Sequence, residues 1–100
     1  MQINGVNFPL DEVGRLSRAA GVANLYLFGS MLTPTFRPDS DINLLAETDP
    51  ASGAGLFRLG ALQMDLSDLL GRTVHLTLLG GVPTEVRPGL LASARMLGAA

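Results

Sequence analysis

Leu27-Phe28-Gly29-Ser30, then a ten-residue spacer ending Arg37-Pro38-Asp39-Ser40, then Asp41-Ile42-Asn43-Leu44-Leu45, is the stretch that decides the fold. Asn24 to Phe28 is apolar enough to read as a buried strand, and it runs straight into Gly29-Ser30. Gly29 lets an anion approach the backbone closely, while Ser30 can donate a hydrogen bond or cap a short helix. Pro34 and Pro38 keep residues 32–39 out of regular structure. Asp41 to Ala46 reads as a second strand, with Ile42, Leu44 and Ala46 on one face and Asp41, Asn43 and Leu45 on the other. The Cα atoms of Asp41 and Asn43 then lie roughly 6.5–7 Å apart, pointing the same way. Two side-chain oxygens so placed can converge on a divalent cation.

Outward from this centre, Leu10, Val13, Leu16 and Ala20 recur at helical spacing. Pro9 suits the first turn of that helix, Asp11 and Glu12 suit its positive end, and Gly21 suits its stop. Residues 49–55 are small and rich in Gly and Pro, and form a connection. Leu56, Leu59, Leu62, Leu66 and Leu69 make a helical core stripe closed by Gly71. Thr73 to Leu79 is a third strand, with Val74, Leu76 and Leu78 opposite His75 and Thr77, and Gly80-Gly81 breaks it. A last helix is expected from near Pro88, carrying Leu90, Leu91, Ala94 and Leu97. The expected order is helix, strand, strand, helix, strand, helix.

With 47% hydrophobic and 16% charged residues, the chain is globular. One hundred residues suit one domain, 1–100. Mean hydropathy of +0.33 is high for so small a domain, pointing to an apolar face covered by a partner or second copy. Net charge of −2 and a pI near 5.1 argue against a dedicated nucleic-acid surface. No cysteine is present, which excludes disulfides and thiolate metal sites, and a lone His75 excludes a site built mainly on imidazoles. The N-terminus lacks a signal-peptide pattern and no apolar run suits a membrane span, so a cytoplasmic location is expected. All seven basic residues are arginine, which reads as coding bias rather than function.

The Gly-Ser turn, its spacer and the Asp41-Ile42-Asn43 strand together resemble the polymerase-β-like nucleotidyltransferase superfamily, above all its minimal, stand-alone members. Leu69 to Leu76 looks like the family's later strand and Val86 to Leu97 like its terminal helix. The resemblance implies an α+β fold, a small mixed sheet with helices packed over it. It also implies three carboxylates: a D-x-D pair holding Mg²⁺ and a third on the later strand that helps activate the nucleophile. Asp41 matches the first acid, whereas Asn43 stands in the second place and His75 in the third. The basic residue often found after Gly-Ser is replaced by Met31 and Leu32.

The resemblance therefore implies Asp41, Asn43 and His75 as the catalytic positions, with Asp41 and Asn43 as the expected metal ligands. Gly29, Ser30, Arg37 and Ser40 are the candidates for nucleotide phosphate; for Arg37 the plain alternative is a solvated loop arginine, and Ser40 either orients Asp41 by hydrogen bonding or simply starts the strand. One acid where the family has three leaves Mg²⁺ weakly held or absent, because this ion favours anionic oxygen and accepts imidazole poorly. The leading expectation is an impaired, nucleotide-binding domain that acts through a partner, as members paired with HEPN-type toxins do, or through a second copy. The alternative is an active Mg²⁺-dependent transferase moving AMP or another nucleotide from a nucleoside triphosphate to a hydroxyl, with His75 as general base. A third possibility is a nucleotide sensor. For His75 itself, a strand residue satisfied by a neighbouring carboxylate is the plain reading, and Arg58 and Arg72 read as surface or ion-pair residues.

Overall fold

A computed structural model describes residues 2–29, 37, 40–52 and 55–99. Ser30 and most of the 32–39 connection lie outside the described residues. Strands β1 (Gln2–Ile3) and β2 (Val6–Asn7) form a small hairpin that precedes helix α1 (Leu10–Ala19). Strands β3 (Val22–Phe28) and β4 (Ile42–Thr48) follow, then helix α2 (Leu56–Leu70) and strand β5 (Val74–Leu78). Helix α3 (Arg87–Ser93) and strand β6 (Arg95–Ala99) complete the described elements.

The main sheet has the order β5-β4-β3-β6 and is mixed: β4 and β5 are parallel, while β3 is antiparallel to both β4 and β6. This is the expected α+β architecture. Helices α1 and α2 pack against it and against each other. The α2 crossover makes the parallel pair possible, because parallel neighbours cannot be joined by a tight turn. Leu59, Leu62 and Leu66 of α2 meet Leu25 and Leu27 of β3, Ile42 and Leu44 of β4, and Val74 of β5 in one buried cluster. Removing so many branched side chains from water is the main force holding helices to sheet, at about 25 cal/mol per Å² of apolar surface.

Two helix ends follow the local chemistry. Pro9 is the cap residue of α1, and its carbonyl accepts the Val13 N–H at 2.9 Å. Gly71 closes α2 at φ 66°, a left-handed turn that delivers the chain into β5. Leu10, at the start of α1, stays outside the buried core and is 39% exposed.

The expected terminal helix through Leu97 is wrong. Helix α3 ends at Ser93, Ala94 is extended at ψ 156°, and Arg95–Ala99 pair with β3. The reason lies in the sheet: without β6, the outer edge of β3 would present a row of unpaired N–H and C=O groups. Leu97 is buried while its neighbour Met96 is exposed, a strand alternation rather than a helical one. Among the described residues no helix is long and apolar enough to cross a membrane.

Candidate functional site

The site forms where β4 and β5 begin and β3 ends. Antiparallel register sets Phe28 opposite Asn43, and parallel register sets Asn43 beside His75. Directly paired residues share a face of a sheet, so Asn43 and His75 look out together, and Asp41 reaches the same face two residues earlier. The His75 Nε2–H donates to Asp41 Oδ2 at 2.8 Å, and both side chains remain about half exposed, at 54% and 49%. Gly29 follows Phe28 at φ 76° and approaches the Asn43 amide. Gly29, Asp41, Asn43 and His75 therefore lie together at this end of the sheet.

Ser40 and Arg37 are bonded to each other at the entry to β4. The Ser40 hydroxyl accepts the Arg37 N–H at 3.0 Å, and the Ser40 N–H returns to the Arg37 carbonyl at 3.0 Å. Ser40 is thus tied to Arg37 through both its hydroxyl and its backbone N–H. Arg72 then braces the same loop: its Nη1 donates to the carbonyls of Arg37 at 3.3 Å and Ser40 at 3.4 Å. Together with the Ile42 N–H bond to the Thr73 carbonyl at 2.9 Å, this fixes the approach of the chain to Asp41.

Arg72 is a positioning residue that the sequence reading took for surface or ion-pair chemistry. A charged residue at the start of a strand carries no local signal of such a role. Ser67 was likewise missed. Its hydroxyl bonds the Gln63 carbonyl at 2.9 Å and accepts the Val74 N–H at 3.0 Å, joining α2 to the start of β5. Between these two elements a polar cleft of about 610 Å³ opens beside Asp41, lined by Ser40, Ser67, Asp68, Gly71, Arg72 and Thr73.

The donor set is one carboxylate, one amide and one imidazole, and the carboxylate already accepts a hydrogen bond from the imidazole. Among the described residues no group of three or more His, Asp or Glu side chains could hold a metal ion. Such a set does not fit a pair of Mg²⁺ ions, which need hard anionic oxygens to offset their charge. What it offers is a close backbone approach at the Gly29 turn and hydrogen-bonding side chains at Asn43 and His75 on one face.

Known proteins with the same architecture frame this geometry. A chain assigned as a minimal nucleotidyltransferase superposes with a TM-score of 0.74 at 28% identity, over 85% of each chain. A chain of a toxin–antitoxin complex solved with AMP-PNP gives 0.71 at 21% identity, over 93% of this chain and 75% of that one. A chain from the complex of a tri-AMPylated Shewanella oneidensis HEPN toxin with its MNT antitoxin gives 0.62 at 19% identity, over 91% and 70%. No curated protein matches in sequence. The family profile described as a nucleotidyltransferase domain matches residues 10–95, and with the strand-borne site above it the conclusion is plain: the chain belongs to the nucleotidyltransferase domain family.

Proposed function

We propose that this domain binds nucleotide at the Gly29 turn but transfers it poorly, and that it acts chiefly by holding a HEPN-type toxin. The hydrogen bond between Asp41 and His75 carries the first half of this reading. The single carboxylate at the three family positions is engaged by the group that replaces another acid, so little anionic oxygen is left for metal. Removing one positioned charge from such a centre costs about 3–4 kcal/mol of transition-state stabilisation. The second half is supported by solved neighbours that are toxin–antitoxin complexes. An exposed apolar stripe on α2 supports it too: Phe57 is 96% exposed and Met64 69%. Aromatic and methionine side chains left so bare are the usual anchors of a partner surface.

The test is neutralisation of a HEPN-type toxin co-expressed with this chain, with and without Mg²⁺ and ATP. Protection that survives Asp41→Ala and needs neither is the expected result. A second reading keeps catalysis: Asp41 orients the His75 ring, an arrangement suited to a general base, and the S. oneidensis toxin neighbour is described as AMPylated. Labelled AMP appearing on the toxin in the presence of Mg²⁺, and lost in Asp41→Ala, would establish that reading and remove the first.

A further inference from the structure

We infer that helix α2 pairs with α2 of a second copy of this chain, antiparallel, about a two-fold axis passing between Gly60 and Ala61. Phe57, Gly60, Ala61 and Met64 follow the i, i+3, i+4, i+7 spacing that puts residues on one face of a helix, and all are exposed. Their sizes read large, small, small, large, with Phe57 as far before Gly60 as Met64 is after Ala61. A two-fold axis at the centre therefore sets Phe57 of each copy against Met64 of the other, across small residues that let the helices come close. Glycine inside a helix is a weaker choice than alanine, yet a Cβ added at Gly60 would touch nothing in this chain. The chain's own packing does not require the missing side chain, whereas a helix crossing at that point does.

Charge favours a copy of the chain as the occupant. The groove that these residues form with Gln63 carries no charged side chain, so two copies bring no like charges together at its centre. Beside it, α2 holds Arg58 in its N-terminal half and Asp65 and Asp68 toward its end, the reverse of what its own dipole favours. Antiparallel pairing corrects this. Arg58 and Asp65 border the same side of the stripe, where both line the cleft between α2 and α1. Each Arg58 then falls opposite Asp65 of the second copy, twice by symmetry. Arg58 also donates to the Ala19 carbonyl, and its guanidinium has further donors for the carboxylate. One helix face is smaller than the roughly 1,000 Å² of a stable interface, which makes the dimer transient, with a dissociation constant on the order of 10–100 µM. At the dilution of an unfolding titration the chain is then monomeric. The pairing goes beyond the toxin reading: it gives the stripe an occupant in the chain itself, which a toxin docking there has to displace.

The test is the mass of the chain on its own in solution, by sedimentation equilibrium and light scattering from about 100-fold below to about 10-fold above that constant. A reversible monomer–dimer equilibrium is expected. Gly60→Leu fills the crossing point and should weaken the dimer at least about 30-fold, while the helix gains propensity and the chain unfolds no earlier than the parent. Asp65→Arg should weaken the dimer about 10-fold, because two exposed pairs turn from attraction to repulsion, and adding Arg58→Asp in the same chain should restore it. A chain that stays monomeric throughout overturns the inference. So does growth beyond the dimer, since a two-fold contact closes at two copies. A dimer undiminished by both Gly60→Leu and Asp65→Arg lies on another surface and overturns it as well. Should Gly60→Leu fail to fold, Asp65→Arg and its rescue decide. A toxin left unprotected would defeat the partner reading while leaving the dimer standing, and a monomeric chain would do the reverse, so the two fail separately.

Discussion

A Cβ built on Gly29 would stand 3.4 Å from Nδ2 of Asn43, so a methyl group just fits beside the amide. Space is therefore not what keeps residue 29 a glycine. Its φ of 76° is, because a left-handed backbone costs an L residue about 1–2 kcal/mol. Gly29→Ala should lower stability by that amount in a denaturant titration. Gly29→Val should cost more, since its branched side chain also presses on Asn43. An alanine variant as stable as the parent would show that the turn relaxes freely, and the fixed approach of backbone to amide would lose its basis.

Restoring the missing acids is the direct test of the charge argument. Asn43→Asp combined with His75→Asp places three carboxylates on one face, where like charges at close range destabilise the metal-free protein. The double variant should melt lower than the parent without Mg²⁺ and regain stability as Mg²⁺ is added. Transfer of labelled nucleotide should rise by at least about 100-fold, in keeping with the weight of one positioned charge. A double variant with unchanged melting and no response to Mg²⁺ would mean that the three side chains do not share a site.

The centre of the fold was legible because short apolar runs, a glycine turn and strand alternation are local signals. Ile42, Leu44 and Ala46 are buried on one face as alternation requires, and Asp41 and Asn43 look the other way. Leu45 shares their face yet is fully buried, separate from the main cluster. The chain following β5 contacts β4 there, and that cover is invisible to periodicity. The β1–β2 hairpin was missed although its signal was present: Asn4-Gly5 adopts φ of 52° and 82°, the turn that joins two antiparallel strands. Strand β6 was missed for a different reason. Leu90, Leu91, Ala94 and Leu97 match a helical period, and only the need of β3 for an edge partner pulls the last residues into the sheet. Of the site, the Gly29, Asp41, Asn43 and His75 placements were readable. The loop bracing by Arg72 was not, because it depends on two carbonyls more than thirty residues away in sequence.

Alkaline pH isolates a single side chain in this protein. With no lysine and no cysteine, Tyr26 is the only residue whose charge changes near pH 10. Burial against the sheet raises its pKa above 10.0, and the negative charge of Glu47 adds to the rise. Below pH 10 the phenol is neutral in both folded and unfolded chains. Above it the unfolded chain ionises first, so stability is lost as pH climbs from about 10 through the folded pKa. Phenolate absorbance should show one transition displaced upward, and Tyr26→Phe should abolish the alkaline loss of stability. A phenol titrating at or below the ordinary value would contradict the burial.

Ser17 is the opposite kind of residue, one that costs stability. Its Oγ is buried on α1 with no hydrogen-bond partner among the described residues. An unsatisfied buried hydroxyl costs about 1–3 kcal/mol, and serine is also a weaker helix former than alanine by about 0.5 kcal/mol. Ser17→Ala should therefore raise stability by about 1 kcal/mol or more, visible as a higher denaturation midpoint with the same slope. A destabilised variant would reveal a partner for the hydroxyl.

Phe57 and Met64 separate folding from partner binding. They sit seven residues apart on α2, with Gly60 and Ala61 between them, and line an open apolar groove of about 630 Å³ with Gln63. Phe57 is 96% exposed, so the folded chain keeps almost none of its ring out of water. Phe57→Ser should shift stability by less than about 0.5 kcal/mol, as surface changes do. If the proposed HEPN-type partner docks on α2, the same change should weaken that complex by at least about 30-fold, the cost of truncating an anchor residue worth about 2 kcal/mol. Met64→Ser should weaken it less. Both variants are measured by equilibrium unfolding and by titration calorimetry with the toxin. Unchanged affinity in both would place the docking surface elsewhere, and a fall in stability to match the fall in affinity would mean the ring is covered by this chain itself.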